Sequence, residues 1–234
     1  AFFMFSYFTD RDGKYQLASL AESAFDPLSR TCKFMLTEEA NHMFTGESGV
    51  MRIVNRTCEL MKESDDVTKL GGIPLDLIQK YINFHYSVSL DLFGAEESTN
   101  AANFYACGLK GRYKEESIDD DHILDKHERT HLNERLQNDY IEDCERGLAR
   151  WNKSIRNHGI DFELELPSKS INRRVGRYAD HTAYGVSLPS IAEREYVASL
   201  MSPVTTPGQF ANYITPPTKG VHGNPVDFEY VRFN

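Results

Sequence analysis

Asp10, Glu39 and His42 are the residues whose types and spacing could do chemistry. Glu39 and His42 stand three apart in FMLTEEANHMF, and side chains at i and i+3 of a helix share a face and can meet at one point. A carboxylate and an imidazole that converge in this way can ligate a metal ion. The apolar residues around them, Cys32, Met35, Leu36, Met43, Val50, Ile53, Val54, Cys58 and Met61, recur at steps of three and four. That is the period of a helix buried on one face. An ionised carboxylate on such a face is costly unless a partner or a metal offsets it. The competing interpretation is a satisfied core pair of Glu39 and His42, with Asp10 as surface charge.

The element that must supply a further carboxylate is the preceding one. FFMFSYFTDRDGKYQLASLAE places Asp10 one turn after Tyr7, and 39 − 10 = 29 residues separate it from Glu39. At a rise of about 1.5 Å per residue, two antiparallel helices with a short connection need roughly that spacing. In ferritin-like carboxylate proteins two helices each give a Glu-x-x-His pair and two others each give one carboxylate, all pointing into the bundle. Asp12 is the alternative to Asp10, and the helix face favours Asp10.

The rest of the chain predicts a mainly α protein. Helix one is expected over about Phe2 to Ala24, stopped by the Phe25-Asp26-Pro27 turn, because proline disfavours helix at the residue before it. Helix two is expected from near Ser29, with a bend around Gly46 to Gly49, and it ends in the polar stretch before Gly71-Gly72-Ile73-Pro74. IPLDLIQKYINFHYSVSLDLFG reads as a third helix, with His85 as a core histidine, and Ala95 to Gly111 as a helix of small residues. A long helix is expected from about His122 to His158, capped by Gly159. Beyond it the text turns to scattered Pro and Gly. The expected organisation is therefore a helical domain over 1–159 and a mostly irregular extension over 160–234, with short strands or turns wrapping the bundle.

A second Glu-x-x-His, Glu128 to His131, lies in that long helix. Glu97 precedes Glu128 by 128 − 97 = 31 residues, so spacing alone would let these three complete a two-metal site with Asp10, Glu39 and His42. The charged text HERTHLNERLQND suits a solvated helix start better.

Composition narrows the functional classes. The 234 residues are 40% hydrophobic, enough for a sizeable core, and the net charge of −9 argues against general nucleic-acid or anionic-membrane binding. Only Lys110, Arg112 and Lys114, or Arg173, Arg174 and Arg177, form local basic clusters for an anionic ligand. Cys32, Cys58, Cys107 and Cys144 lack any Cys-x-x-Cys spacing and read as reduced core thiols of a cytoplasmic protein. No apolar run reaches the roughly 18–20 residues of a bilayer span. The chain opens with no lead-in, inside the apolar stretch AFFMFSYF, from which a preceding part of the protein is expected.

The longer wording is more specific than any of these patterns. FFMFSYFTDRDGKYQLASLAESAFDPL, FMLTEEANHMFTGESGV, NFHYSVSLDLFGAE, DYIEDCERGLARWN, PGQFANYITPP and VDFEYVRF run through the chain in order. Together they resemble the oxygenase components of benzoyl-CoA epoxidase, component B of benzoyl-CoA 2,3-dioxygenase. The resemblance implies a ferritin-like di-iron monooxygenase of aerobic benzoate degradation, of which this chain holds an incomplete bundle. It also implies that Asp10, Glu39 and His42 are half of the iron ligand set, with the other half upstream of Ala1 and with Glu128 and His131 as decoys. Asn41, beside the ligand, stands where that family often has His. The implied reaction inserts one oxygen atom of O2 across the 2,3-bond of benzoyl-CoA. Electrons would come from a separate NADPH-dependent flavin and iron–sulfur reductase, since the chain has no Gly-rich nucleotide fingerprint and no cysteine cluster.

Overall fold

The computed structural model describes residues 1–119, 122–169 and 186–205. The PGQFANYITPP and VDFEYVRF segments and Arg173, Arg174 and Arg177 lie outside them. Among the described residues there are seven α-helices and no strand, as a mainly α chain requires: α1 Phe2–Ala21, α2 Asp26–Leu60, α3 Leu75–Leu92, α4 Thr99–Ala106, α5 Lys126–Thr130, α6 Leu132–Asn157 and α7 Ile191–Thr205. The chain divides into two compact units, Ala1–Pro189 and Ser190–Asn234.

In the first unit α1 is central, lying along α2 and against α3 and α6. Its sequence explains this, since Met4, Tyr7, Phe8 and Tyr15 are buried and repeat at helical spacing. The Tyr7 ring packs tilted against Trp151 on α6, ring centres 4.6 Å apart, and its hydroxyl donates to the Cys144 carbonyl at 3.0 Å. Gly147 on α6 makes room for that tyrosine: a Cβ there would overlap the Tyr7 hydroxyl.

Helix α2 runs without interruption through Gly46 to Gly49. Those glycines serve the crossing with α1. A Cβ on Gly46 would stand 2.5 Å from the backbone nitrogen of Tyr7, and one on Gly49 would overlap the Phe3 ring. The same helix begins at Asp26 rather than Ser29, with Pro27 in its first turn. Proline is pre-set for that position because its missing N–H would be unpaired there anyway.

A buried charge network ties α1 to α2 and α6. Arg11, 4% exposed, reaches Asp143 on α6 at 3.2 Å and Glu47 on α2 at 3.8 Å. Its guanidinium lies 4.1 Å from the Tyr7 ring centre. Lys14 and the Tyr15 hydroxyl also meet Asp143, at 2.9 and 3.2 Å. Burial alone would raise the Asp143 carboxyl, but the Arg11 charge and the Lys14 hydrogen bond hold it below the usual range.

The helix expected over His122 to His158 is broken at His131, which joins α5 to α6. Asp125 starts α5, accepting from the Glu128 N–H while the Glu128 side chain accepts from the Asp125 N–H, both at 2.9 Å. Gly159 ends the turn after α6 at φ +77°, as a left-handed cap. Following it, Asp161 to Ser168 is neither helix nor strand. Leu164 is buried there, its backbone exchanging two hydrogen bonds with the Asn152 side chain at 2.8 and 2.9 Å. The stretch of small residues shrinks to α4, started by the Ser98 hydroxyl accepting from the Ala101 N–H at 3.1 Å.

In the second unit α7 occupies part of the tail expected to be mostly irregular. Ser190 and Glu193 exchange hydrogen bonds at its start, at 2.8 and 3.2 Å, a capping pattern visible in SIAE. All four cysteines are free, and Cys107 is exposed, not a core thiol.

Candidate metal centre

Helices α1 and α2 bring Asp10, Glu39 and His42 together. One donor atom from each lies within 4.8 Å of the others, and among the described residues no other group of three His, Cys, Asp or Glu side chains does so. The His42 Nδ1 is 3.5 Å from Glu39 Oε2 and 3.9 Å from Asp10 Oδ2. The i and i+3 spacing on α2 sets the first distance. The close crossing at Gly46 brings α1 near enough for the second.

The cluster is asymmetric in its surroundings. The carboxylates are largely covered, their side chains 17% and 15% exposed, whereas His42 is 50% exposed. Burial raises the Asp10 carboxyl, against the lowering effect of His42 and of a hydrogen bond with Ser6. Burial also raises Glu39, and the Asp10 charge raises it further. Two partly covered carboxylates thus repel each other at short range.

Glu39 Oε2 is buried and has no hydrogen-bond partner. An unmet acceptor of this kind is expensive, and a cation among the three donors would satisfy it while relieving the repulsion. Oxygen and imidazole donors together suit divalent iron and its neighbours. The residues present therefore fit a metal ion, although His42 Nδ1 also stands within ion-pair reach of Glu39 Oε2.

Asp12 is not part of the cluster. It is 4% exposed, takes a hydrogen bond from Gln16 at 3.5 Å, and burial pushes its carboxyl up to about 7. The rival trio also stays apart from it. Glu128 is spent on the start of α5, His131 Nδ1 contacts Glu134 at 3.0 Å, and Glu97 lies in the loop before α4. His85 is a buried aromatic neighbour of Tyr81 and Phe84, as expected of a core histidine. Sequence reasoning misses the Arg11 network: an Arg on an otherwise apolar helix face is its only trace.

The two helices that carry the cluster also expose large apolar side chains. Phe2 and Phe5 on α1 and Phe34 and Phe44 on α2 are 66%, 49%, 69% and 71% exposed.

No family model matches the chain. Benzoyl-CoA oxygenase component B of Aromatoleum evansii is 50% identical over 272 residues, a match that takes in 100% of this chain and 58% of that protein. The chain thus spans less than two thirds of this relative's length. Identity at that level, sustained from end to end, bears out the resemblance seen in the wording around Asp10 and Glu39 and makes the chain a relative of benzoyl-CoA oxygenase component B.

Proposed function

We propose that the chain forms part of an oxygenase component that acts on benzoyl-CoA, with Asp10, Glu39 and His42 as half of a di-iron ligand set. The observation that carries the proposal is the orphaned, buried Glu39 Oε2 facing Asp10 and His42, in a chain 50% identical to a benzoyl-CoA oxygenase component. A ferritin-like two-iron site takes two Glu-x-x-His pairs and two further carboxylates. Glu39 with His42 would be one such pair and Asp10 one such carboxylate. A second helix pair, from a part of the protein upstream of Ala1, would supply the others and cover Phe2, Phe5, Phe34 and Phe44.

Each residue then has a definite task. Glu39 and Asp10 would be kept ionised by the cation and hold it between α1 and α2. His42 would supply the nitrogen donor on the more exposed side. The Arg11 network fixes α1 against α2 and α6 and so holds Asp10 in register with Glu39. Bound iron would supply the reduction of dioxygen and the transfer of one oxygen atom to the 2,3-bond of benzoyl-CoA. Electrons would arrive from a separate NADPH-dependent flavin and iron–sulfur reductase, in the cytoplasm. Among the described residues no helix is long and apolar enough to cross a membrane.

The test is iron content and product formation in variants. His42→Ala should lose iron while the far-ultraviolet circular dichroism stays that of a helical protein, and His131→Ala should keep its iron. Full iron occupancy in His42→Ala overturns the ligand assignment. With reductase, NADPH, O2 and benzoyl-CoA, the chain by itself should yield no epoxide by mass spectrometry, and the protein completed by a second Glu-x-x-His helix pair should yield it. A completed protein that binds iron but never turns over benzoyl-CoA would favour the second reading, a ferritin-like carboxylate metal-binding protein without oxygenase activity.

A further inference from the structure

His131 carries an oddity that the metal centre does not absorb. Its Nδ1 is 3.0 Å from the Glu134 carboxylate, an acceptor that demands a proton on that nitrogen. In the neutral ring the proton on Nδ1 leaves a bare lone pair on Nε2. That Nε2 is buried and has no hydrogen-bond partner. Its ring neighbours another imidazole: the His127 and His131 rings are 4.7 Å apart at 71°, and His127 is exposed.

We propose that His127 and His131 form a second metal site, separate from Asp10, Glu39 and His42, for a borderline divalent transition ion such as Cu2+, Ni2+ or Zn2+. Imidazole is a preferred ligand for these ions. Metal-bound histidines commonly donate their other ring N–H to a carboxylate, which fixes tautomer and orientation, and Glu134 already holds His131 in that way. His127 and His131 are four apart on α5 and its cap, so their rings rise from one face of one turn. Solvent would fill the remaining coordination positions. The adjoining cleft of about 430 Å³ is lined by Glu128, Glu134 and Asp139 against Arg112 and Arg135, a net acidic wall that favours a cation. Glu128 itself stays on the backbone of Asp125. The metal-binding unit in this stretch is therefore His-x-x-x-His, not the Glu-x-x-His that the spacing first offers.

Equilibrium dialysis of the metal-stripped chain against Ni2+, with His42→Ala as background to silence the first cluster, tests this. One equivalent should bind. Adding His127→Ala, an exposed substitution, should weaken binding at least tenfold, as should His131→Ala. Glu134→Gln should weaken it by about 10–100-fold, the usual cost of losing a carboxylate behind a histidine ligand. Nitrogen-15 spectra of the metal-free chain should show the neutral His131 ring protonated at Nδ1 and bare at Nε2. Undiminished Ni2+ binding in His127→Ala overturns the proposal, as does a neutral His131 ring carrying its proton on Nε2. Circular dichroism of each variant separates lost binding from lost fold.

Discussion

Replacing Gly46 with Ala should damage the fold and the metal cluster together. An ideal Cβ at Gly46 lies 2.5 Å from the Tyr7 nitrogen, 2.7 Å from the Ser6 carbonyl carbon and 2.9 Å from the Phe3 carbonyl oxygen. All three are backbone atoms of α1, so no side-chain rotation can relieve them. Carbon contacts settle at about 3.5–4.0 Å, and the crossing must therefore open by about 1 Å. Overpacking of this kind costs about 1–3 kcal/mol, occasionally more, and a rigid backbone neighbour places Gly46→Ala at the upper end. The better helix propensity of Ala returns about 1 kcal/mol. The net loss should be about 2 kcal/mol.

The effect on the cluster follows from leverage. Gly46 lies 46 − 39 = 7 residues after Glu39 on α2, and the atoms it would strike lie 10 − 7 = 3 or more residues before Asp10 on α1. Opening the crossing moves Asp10 away from donors that now lie within 4.8 Å of it, whereas metal–ligand distances tolerate only about ±0.2 Å. Urea unfolding followed by circular dichroism should show a lower midpoint with an unchanged slope, and dialysis against Fe2+ should show weaker binding. Gly159→Ala is the control: at φ +77° with nothing within 4 Å, it should cost about 1 kcal/mol and leave metal binding alone. A Gly46→Ala chain as stable as the parent, with unchanged Fe2+ affinity, would refute the reasoning.

His85 gives a pH prediction. Burial holds its imidazole down to about 4, from 6.5, so the unfolded chain takes up a proton that the folded one refuses. The stability it secures is complete above pH 6.5 and is lost as pH falls toward 4, by about 3 kcal/mol at 1.36 kcal/mol per unit. His85→Phe should flatten that part of the unfolding profile, and an unchanged slope would remove His85 as its cause. Arg11→Met removes the buried guanidinium but leaves Glu47 on Arg150 and Asp143 on Lys14 and Arg146, so it should cost about 2 kcal/mol, within the range for lost hydrogen bonds to charged groups. A change within about 0.5 kcal/mol, typical of an inert surface site, would show that the network carries no stability. Under native conditions a thiol reagent should label Cys107 and spare the buried Cys32, Cys58 and Cys144. Rapid labelling of all four would contradict the core packing.

Helices with strong apolar periodicity are legible in the sequence, and their ends are not. The α1, α3 and α6 stripes can be read because Tyr7, Ile82 and Leu136 belong to repeats that only one helix face satisfies. Boundaries fail where one residue type has two uses. Pro27 reads as a stop and is a start, since only its position relative to the first turn decides which. Gly46 and Gly49 read as a bend, and the crossing they permit goes unread, because a glycine's freedom and its smallness look the same in a sequence. The break at His131 is hidden by a helical pattern that continues through it, although Asp125 and Glu128 announce the true start of α5.

The candidate site is legible for a reason that also explains the decoy. Glu39 and His42 sit among apolar neighbours, so the cost of leaving them without a partner can be argued from the residues alone, and the second carboxylate follows from helix length. Glu128 and His131 share the spacing but not the surroundings: beside a capping aspartate a glutamate has a backbone N–H to bind, and it takes that in preference to a metal. Spacing shows which side chains can meet. What each of them would leave unsatisfied by staying apart decides which ones do. By that criterion Glu39 Oε2 and His131 Nε2, both buried and both without a hydrogen-bond partner, are atoms to which a cation has something to offer.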